Sequence, residues 1–154
     1  MGEEHPDPSP YVILDNIGRF AQQPQAGTHP FLNDRVVVTL INIEEDRVLH
    51  NSYASQSAAG TASQPRQKLS LYCLFSMPFE PYSRSLQFLS LVMDFFYHQP
   101  RIALAPYLGS ADVSGQIPEN VEIELISLTL EQQYQLWSLL GCKQLPSALY
   151  KIRI

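Results

Sequence analysis

Three stretches of the chain carry the hydrophobic patterns of β-strands. The run from Val36 to Ile43 is largely β-branched, apolar on both faces and bounded by charged residues, as in a strand covered on both sides. The segments 68–77 (KLSLYCLFSM) and 148–154 (ALYKIRI) contain alternating positions, which predicts strands whose successive side chains point to opposite faces of a sheet. Shorter strands are predicted at 11–16, 102–105 and 121–128.

A first helix is predicted after Ser83, the expected N-cap, and before Pro100, which ends the pattern. Further apolar residues widen its hydrophobic stripe almost around the helix, which indicates burial against the sheet on one side and a second surface on the other. That second surface is either another subunit or more of the monomer core. The stripe is built on Leu86, Leu89, Met93 and Phe96.

A second helix is predicted from Thr129 to about Leu140. Thr129 and Gln132 have the spacing of a capping box, in which each side chain bonds the backbone amide of the other residue. Gly141 is the expected left-handed C-cap. Its predicted core face consists of Leu130, Leu136, Trp137 and Leu140.

The predicted order of elements is β-β-β-α-(β)-β-α-β. This order favours an α+β fold with a single mixed, mostly antiparallel sheet and two main helices packed on one face. A chain of 154 residues suits one domain, predicted over residues 11–154. The proline-rich and acidic segment 1–10 is expected to be disordered, and the segment 50–67, rich in Ser, Ala and Gln, to be a long loop.

Charge and chemistry-bearing residues give no sign of an enzyme. The net charge is −5 and Lys and Arg are scattered, which argues against nucleic acid as a partner. The four histidines have no metal-binding spacing, and the two cysteines lie in apolar patterns. We therefore expect no catalytic residues, no metal and no cofactor.

The candidate partner-binding residues lie on two strands. On the last strand, Tyr150 points inward while Lys151 and Arg153 lie where an acidic neighbour could pair with them. The alternative is that this strand completes the sheet and its cations are solvated. Glu44, Glu45 and Arg47 form either an inter-subunit charge set or a solvated strand end.

Four blocks follow one another along the chain: VVVTLINIEEDRVLHN, LSLYCLFS, YSRSLQFLSLVMDFFYHQP and VEIELISLTLEQQYQLWSLLGCKQLPSALYKIRI. In this order they resemble the tail-terminator (cap) family of contractile injection systems, the antifeeding-prophage and virulence-cassette type of phage-tail-like particle. They cover most of residues 11–154, and the most diagnostic parts are NIEE, the LW..LG helix end and the P-S-x-x-Y-K-x-R close. Family members usually begin with an apolar helix, whereas this chain has MGEEHPDPSP there.

The resemblance implies a non-enzymatic protein that forms a homohexameric ring on the distal end of the inner tube and the sheath. Such a ring would stop polymerisation and stabilise the last sheath layer, with the sheath and tube proteins as partners. The expected location is the cytoplasm, within the assembled particle, with at most indirect membrane contact. The alternative is an adaptor that forms no ring and links the particle to a membrane or envelope partner.

Overall fold

The computed structural model describes residues 11–22, 32–45, 68–104, 106 and 118–154. Within these residues the chain forms one six-stranded sheet in the order β1-β2-β3-β6-β5-β4. Strand β1 is parallel to β2, and every other neighbouring pair is antiparallel. The strands are β1 (Val12–Leu14), β2 (Val36–Glu45), β3 (Leu69–Ser76), β4 (Arg101–Ala103), β5 (Asn120–Ile126) and β6 (Ser147–Arg153).

Two α-helices and one 3-10 helix accompany the sheet in the described part of the chain. Helix α1 spans Tyr82–His98, helix α2 spans Leu130–Leu140, and the 3-10 helix Ile17–Gln22 follows β1. The predicted α+β class and the mixed, mostly antiparallel sheet are confirmed. The expected disorder of residues 1–10 and the loop at 50–67 lie outside the described residues.

The two α-helices pack on opposite faces of the sheet, not on the one face that was expected. Phe88 and Phe96 of α1 pack on the cluster around Phe75 and Tyr150. Trp137 of α2 belongs to a second cluster, which contains the alternate strand residues Val37, Leu74 and Leu149. Because the central strands are apolar on both faces, each face needs its own cover, and periodicity within a helix does not say which face it covers.

The observed helix ends test the capping residues that were predicted from the sequence. The Thr129 hydroxyl accepts from the Gln132 amide at 3.2 Å, and the Gln132 side chain accepts from the Thr129 amide at 2.9 Å, so the capping box is confirmed. Gly141 caps α2 with φ 69°, as predicted. The expected N-cap Ser83 is wrong, because α1 begins at Tyr82 behind Pro81 and has no side-chain cap.

A close backbone approach joins the 3-10 helix to the end of α2. A Cβ atom on Gly18 would lie 2.5 Å from the carbonyl oxygen of Leu140, so any larger residue would push the two segments apart. Strand β2 holds the same region, because the Ile17 amide donates to Thr39 Oγ1 at 3.0 Å, and Thr39 Oγ1 donates to the Asp15 carbonyl at 2.7 Å. The segment after β1 is thereby fixed on the α2 side of the sheet.

Ser85 fastens α1 to the chain that precedes it. It is buried, and its hydroxyl lies 2.7 Å from the Met77 carbonyl and 2.9 Å from the Phe79 carbonyl. The same oxygen accepts from the Phe79 amide at 3.2 Å. Ser85 is the buried residue of α1, so this polar contact contributes to the position of the helix on the sheet.

We expect Ser85→Ala to lower the free energy of unfolding by about 1–2 kcal/mol, because it removes buried hydrogen bonds and leaves their backbone partners without a replacement. Urea denaturation measures this as a lower midpoint at unchanged slope. Ser90→Ala, an exposed serine of the same helix, is the matched control and should shift the free energy by less than about 0.5 kcal/mol. Equal midpoints for the two variants would contradict the role of Ser85.

Candidate interaction surfaces

Burial favours the neutral forms of two thiols and one phenol in the described part of the chain. Burial raises the pKa of the Cys73 and Cys142 thiols above the ordinary value, and it also raises the pKa of the Tyr150 hydroxyl. In the described ranges, no group of three or more His, Cys, Asp or Glu residues is placed to hold a metal ion.

The cations of β6 find their acidic partners within the same chain. Arg153 Nη2 lies 2.6 Å from Glu124 Oε2, and Arg153 Nη1 lies 3.9 Å from Glu122 Oε2. Glu122 also pairs with Arg101 of β4 at 2.8 Å. These contacts follow the strand register, in which Arg153 lies opposite Glu122 on the neighbouring strand. The acidic neighbour expected from a partner is thus supplied by β5.

Lys151 continues this row of charges towards β2. Its Nζ lies 3.9 Å from Glu44 Oε2 and 5.3 Å from the centroid of the Tyr72 ring. The Tyr72 hydroxyl donates to the same Glu44 oxygen at 2.8 Å. Such exposed pairs contribute only about 0–1 kcal/mol each, so the row orders the surface more than it stabilises the fold.

The remaining candidates from the sequence are placed differently. Tyr150 is 2% exposed and packs between Phe75 and Phe96, so its side chain belongs to the core. Glu45 is the last residue of β2 and also takes part in a non-covalent contact. Arg47 lies outside the described residues. Partner binding by Lys151, Arg153, Glu44, Glu45 and Arg47 stays a prediction.

The C-terminal strand is in the interior of the sheet. It pairs with β3 over Ser147–Arg153 and with β5 over Leu149–Arg153. Its backbone hydrogen-bonding groups therefore face strands of the same chain, and β6 offers no free edge for strand exchange. Of the two alternatives, the observed position is that of a strand that completes the sheet.

A groove runs between α1 and the sheet, and we call it the α1 groove. Its volume is about 630 Å³. Leu86, Met93 and Tyr97 form one wall along a flank of α1, and Leu125 of β5 lies across from them, with Tyr150 among the lining residues. All three wall residues of α1 are exposed to solvent, so the broad hydrophobic stripe is only partly covered inside the monomer.

The outer flank of α2 carries a second apolar surface, the α2 ridge, formed by Leu130 and Tyr134. These side chains are 86% and 75% exposed and stand one helical turn apart. They border a hollow of about 510 Å³ that also contacts Trp137 and Lys143. The prediction that Leu130 belongs to the core is wrong, because Leu128, just before the helix, packs against the second cluster instead.

A third apolar surface lies where β1 and β2 meet the end of α2. Leu14, Leu40 and Leu139 are exposed there and border a hollow of about 440 Å³. Exposed apolar side chains that cluster around a hollow are typical of interaction surfaces, whereas single exposed ones are normal. The width of the α1 stripe was the sequence signal for such surfaces, whereas the α2 ridge had no signal beyond the Leu130–Tyr134 spacing.

None of the helices in the described part of the chain is long and apolar enough to cross a membrane.

The fold and its surfaces define a class of protein: an α+β domain with one helix on each face of a mixed sheet and apolar surfaces that face outward. The chain belongs to the Pvc16 N-terminal domain family, which matches residues 10–154. Pvc16 is from the phage tail-like Photorhabdus virulence cassette, so the match relates the chain to a protein of a contractile injection system. No curated protein matches the chain. The resemblance seen in the sequence is confirmed at this level.

Proposed function

We propose that the protein is a structural terminator of a contractile injection system. Copies of the chain assemble into a homohexameric ring on the distal end of the inner tube and sheath, where the ring ends polymerisation and stabilises the last sheath layer. Its partners are its own copies and the sheath and tube proteins, and its role requires neither catalysis nor a cofactor. It acts in the cytoplasm as part of the assembling particle.

The observation that carries the proposal is the combination of family membership with exposed apolar surface on both faces of the sheet. A protein that ends a tubular polymer needs one surface for its neighbours in the ring, a second for the last layer of the polymer, and a far side without a further binding site. The α1 groove, the α2 ridge and the surface around Leu139 provide separate surfaces of the kind that this role requires.

The first test is the solution mass of the purified chain. We expect a ring of six protomers in sedimentation and native mass spectrometry, because the exposed apolar side chains are stabilised when copies cover them. A monomer that persists at high protein concentration contradicts the ring and supports the adaptor function.

The second test of the same proposal is deletion of the gene from a particle-producing strain. Electron microscopy is expected to show sheaths of uncontrolled or unstable length, and a plasmid copy of the gene should restore normal particles. Particles of normal length and stability without the protein would contradict the terminator role.

A further inference from the structure

The α1 groove has a single charged residue in its lining, Asp94. Its ion-pair partner within the chain is His98, at 3.4 Å, and this partner is charged only when the imidazole is protonated. Both side chains are largely exposed, so the carboxylate is available to another cation. The groove is thus an apolar channel with one acidic group at its rim.

The hollow beside the α2 ridge also has a single charged residue, and here it is the cation Lys143. Most other cations of the described residues, among them Arg101, Lys151 and Arg153, have carboxylate partners within 4 Å. No ion pair of Lys143 is found in the part of the chain that the structure describes. The α2 ridge therefore borders a hollow whose one basic group has no ion-pair partner among the described residues.

The groove and the ridge cannot meet within one chain, because α1 and α2 cover opposite faces of the sheet. Two copies can bring them together, with the apolar wall of Leu86, Met93 and Tyr97 against Leu130 and Tyr134. Contact between two grooves would instead place two Asp94 carboxylates in one interface and leave Lys143 without a counter-ion. Charge complementarity thus favours a contact between unlike surfaces.

We propose that the α1 groove of one protomer receives the α2 ridge of the next, with Asp94 paired to Lys143 across the junction. A contact of this kind is head-to-tail, and it repeats from copy to copy until the rotation closes a ring. The inference rests on the proposed ring function and specifies the surface that would build it. The second copy of the chain is the occupant of the groove.

The test uses two charge reversals, Asp94→Lys and Lys143→Glu, in the full chain. Asp94→Lys places two ammonium groups at every junction, and Lys143→Glu places two carboxylates there. We expect each variant alone to assemble at least about 100-fold more weakly than the wild type and to sediment as a monomer, because like charges then face each other in an apolar contact.

An equimolar mixture of the two variants is the decisive sample. If copies alternate around the ring, every junction again contains one acid and one base, so the mixture should regain the wild-type mass. The variant that carries both reversals should also assemble by itself. Lys68→Glu and Glu119→Lys reverse exposed charges outside both surfaces and are the matched controls, expected to keep the wild-type mass alone and when mixed.

The outcomes separate this interface from the ring itself. A wild-type ring that both reversals leave intact, or a loss of assembly that the mixture does not repair, overturns the pairing of groove and ridge while the ring function stands. If Asp94→Lys abolishes assembly and Lys143→Glu does not, the groove takes a different occupant. A wild-type chain that is monomeric at every concentration overturns both the ring and the interface.

Discussion

Trp137→Ala is expected to lower the free energy of unfolding by about 3–5 kcal/mol, because truncation of a buried aromatic side chain loses its transfer energy and leaves a cavity. Trp137 is 5% exposed and is the buried residue of α2. It packs in the cluster of Leu74 and Leu149, which lie on the two central strands. Much of the outer flank of α2 points away from the sheet. The packing of α2 on the sheet therefore depends strongly on Trp137, and we expect a large effect.

Two further variants separate packing from other contributions of Trp137. Among the described residues the buried indole Nε1 atom has no hydrogen-bond partner, so Trp137→Phe chiefly removes packing and should cost much less than Trp137→Ala. Tyr134→Ala removes an exposed ring from the same helix and should change the free energy of unfolding by less than about 0.5 kcal/mol. Urea unfolding of the three variants under conditions where the chain is monomeric measures the differences, and equal losses for Trp137→Ala and Tyr134→Ala would contradict the assignment.

Phe96→Ala is expected to cost about 3 kcal/mol on the other face of the sheet, near the lower end for large buried aromatic residues because Phe96 is only partly buried. The ring centroid of Phe96 lies 5.4 Å from that of Phe75 and 4.8 Å from that of Tyr150. Edge-to-face and tilted contacts at these distances add about 0.5–1.5 kcal/mol per pair to the burial of area. The variant loses both contacts at the point where α1 lies over the central strands.

Phe95→Ala is the matched control, since Phe95 precedes Phe96 on α1, is 47% exposed, and has its ring centroid 5.2 Å from that of Phe96. We expect a loss well below that of Phe96→Ala in the same urea titration. Near-ultraviolet circular dichroism should also lose more aromatic signal with Phe96→Ala, because that ring has fixed aromatic neighbours. If Phe95→Ala proved the more destabilising of the two, the orientation of α1 on the sheet would be wrong.

The order of elements could be read from the chain because each signal is local. The alternation of segment 148–154 requires only neighbouring residues, and β6 is a strand over Ser147–Arg153. The capping box of Thr129 and the left-handed Gly141 likewise depend on contacts within one helical turn. The 3-10 helix Ile17–Gln22 was missed, because it is held by the contact with Thr39 on β2 and not by its own pattern.

The candidate site was predicted less well, because pairing is a property of the folded sheet. Lys151 and Arg153 are on the face expected for outward cations, but the strands on either side bring Glu44, Glu122 and Glu124 within reach of them. These glutamates are about thirty to a hundred positions away from the cations in the sequence, so no local pattern predicts the ion pairs. The breadth of the α1 stripe did indicate an outward apolar surface.

The sequence by itself determined the strands, the two helices with their periods, and the end of α2, because backbone hydrogen bonding and side-chain alternation act over a few residues. Only the tertiary structure decided that α1 and α2 cover opposite faces, that β6 lies inside the sheet, and that Leu130 points outward while Trp137 points inward. The physical reason is that an amphipathic pattern specifies how much of an element must be covered, whereas the partner that covers it is set by long-range packing.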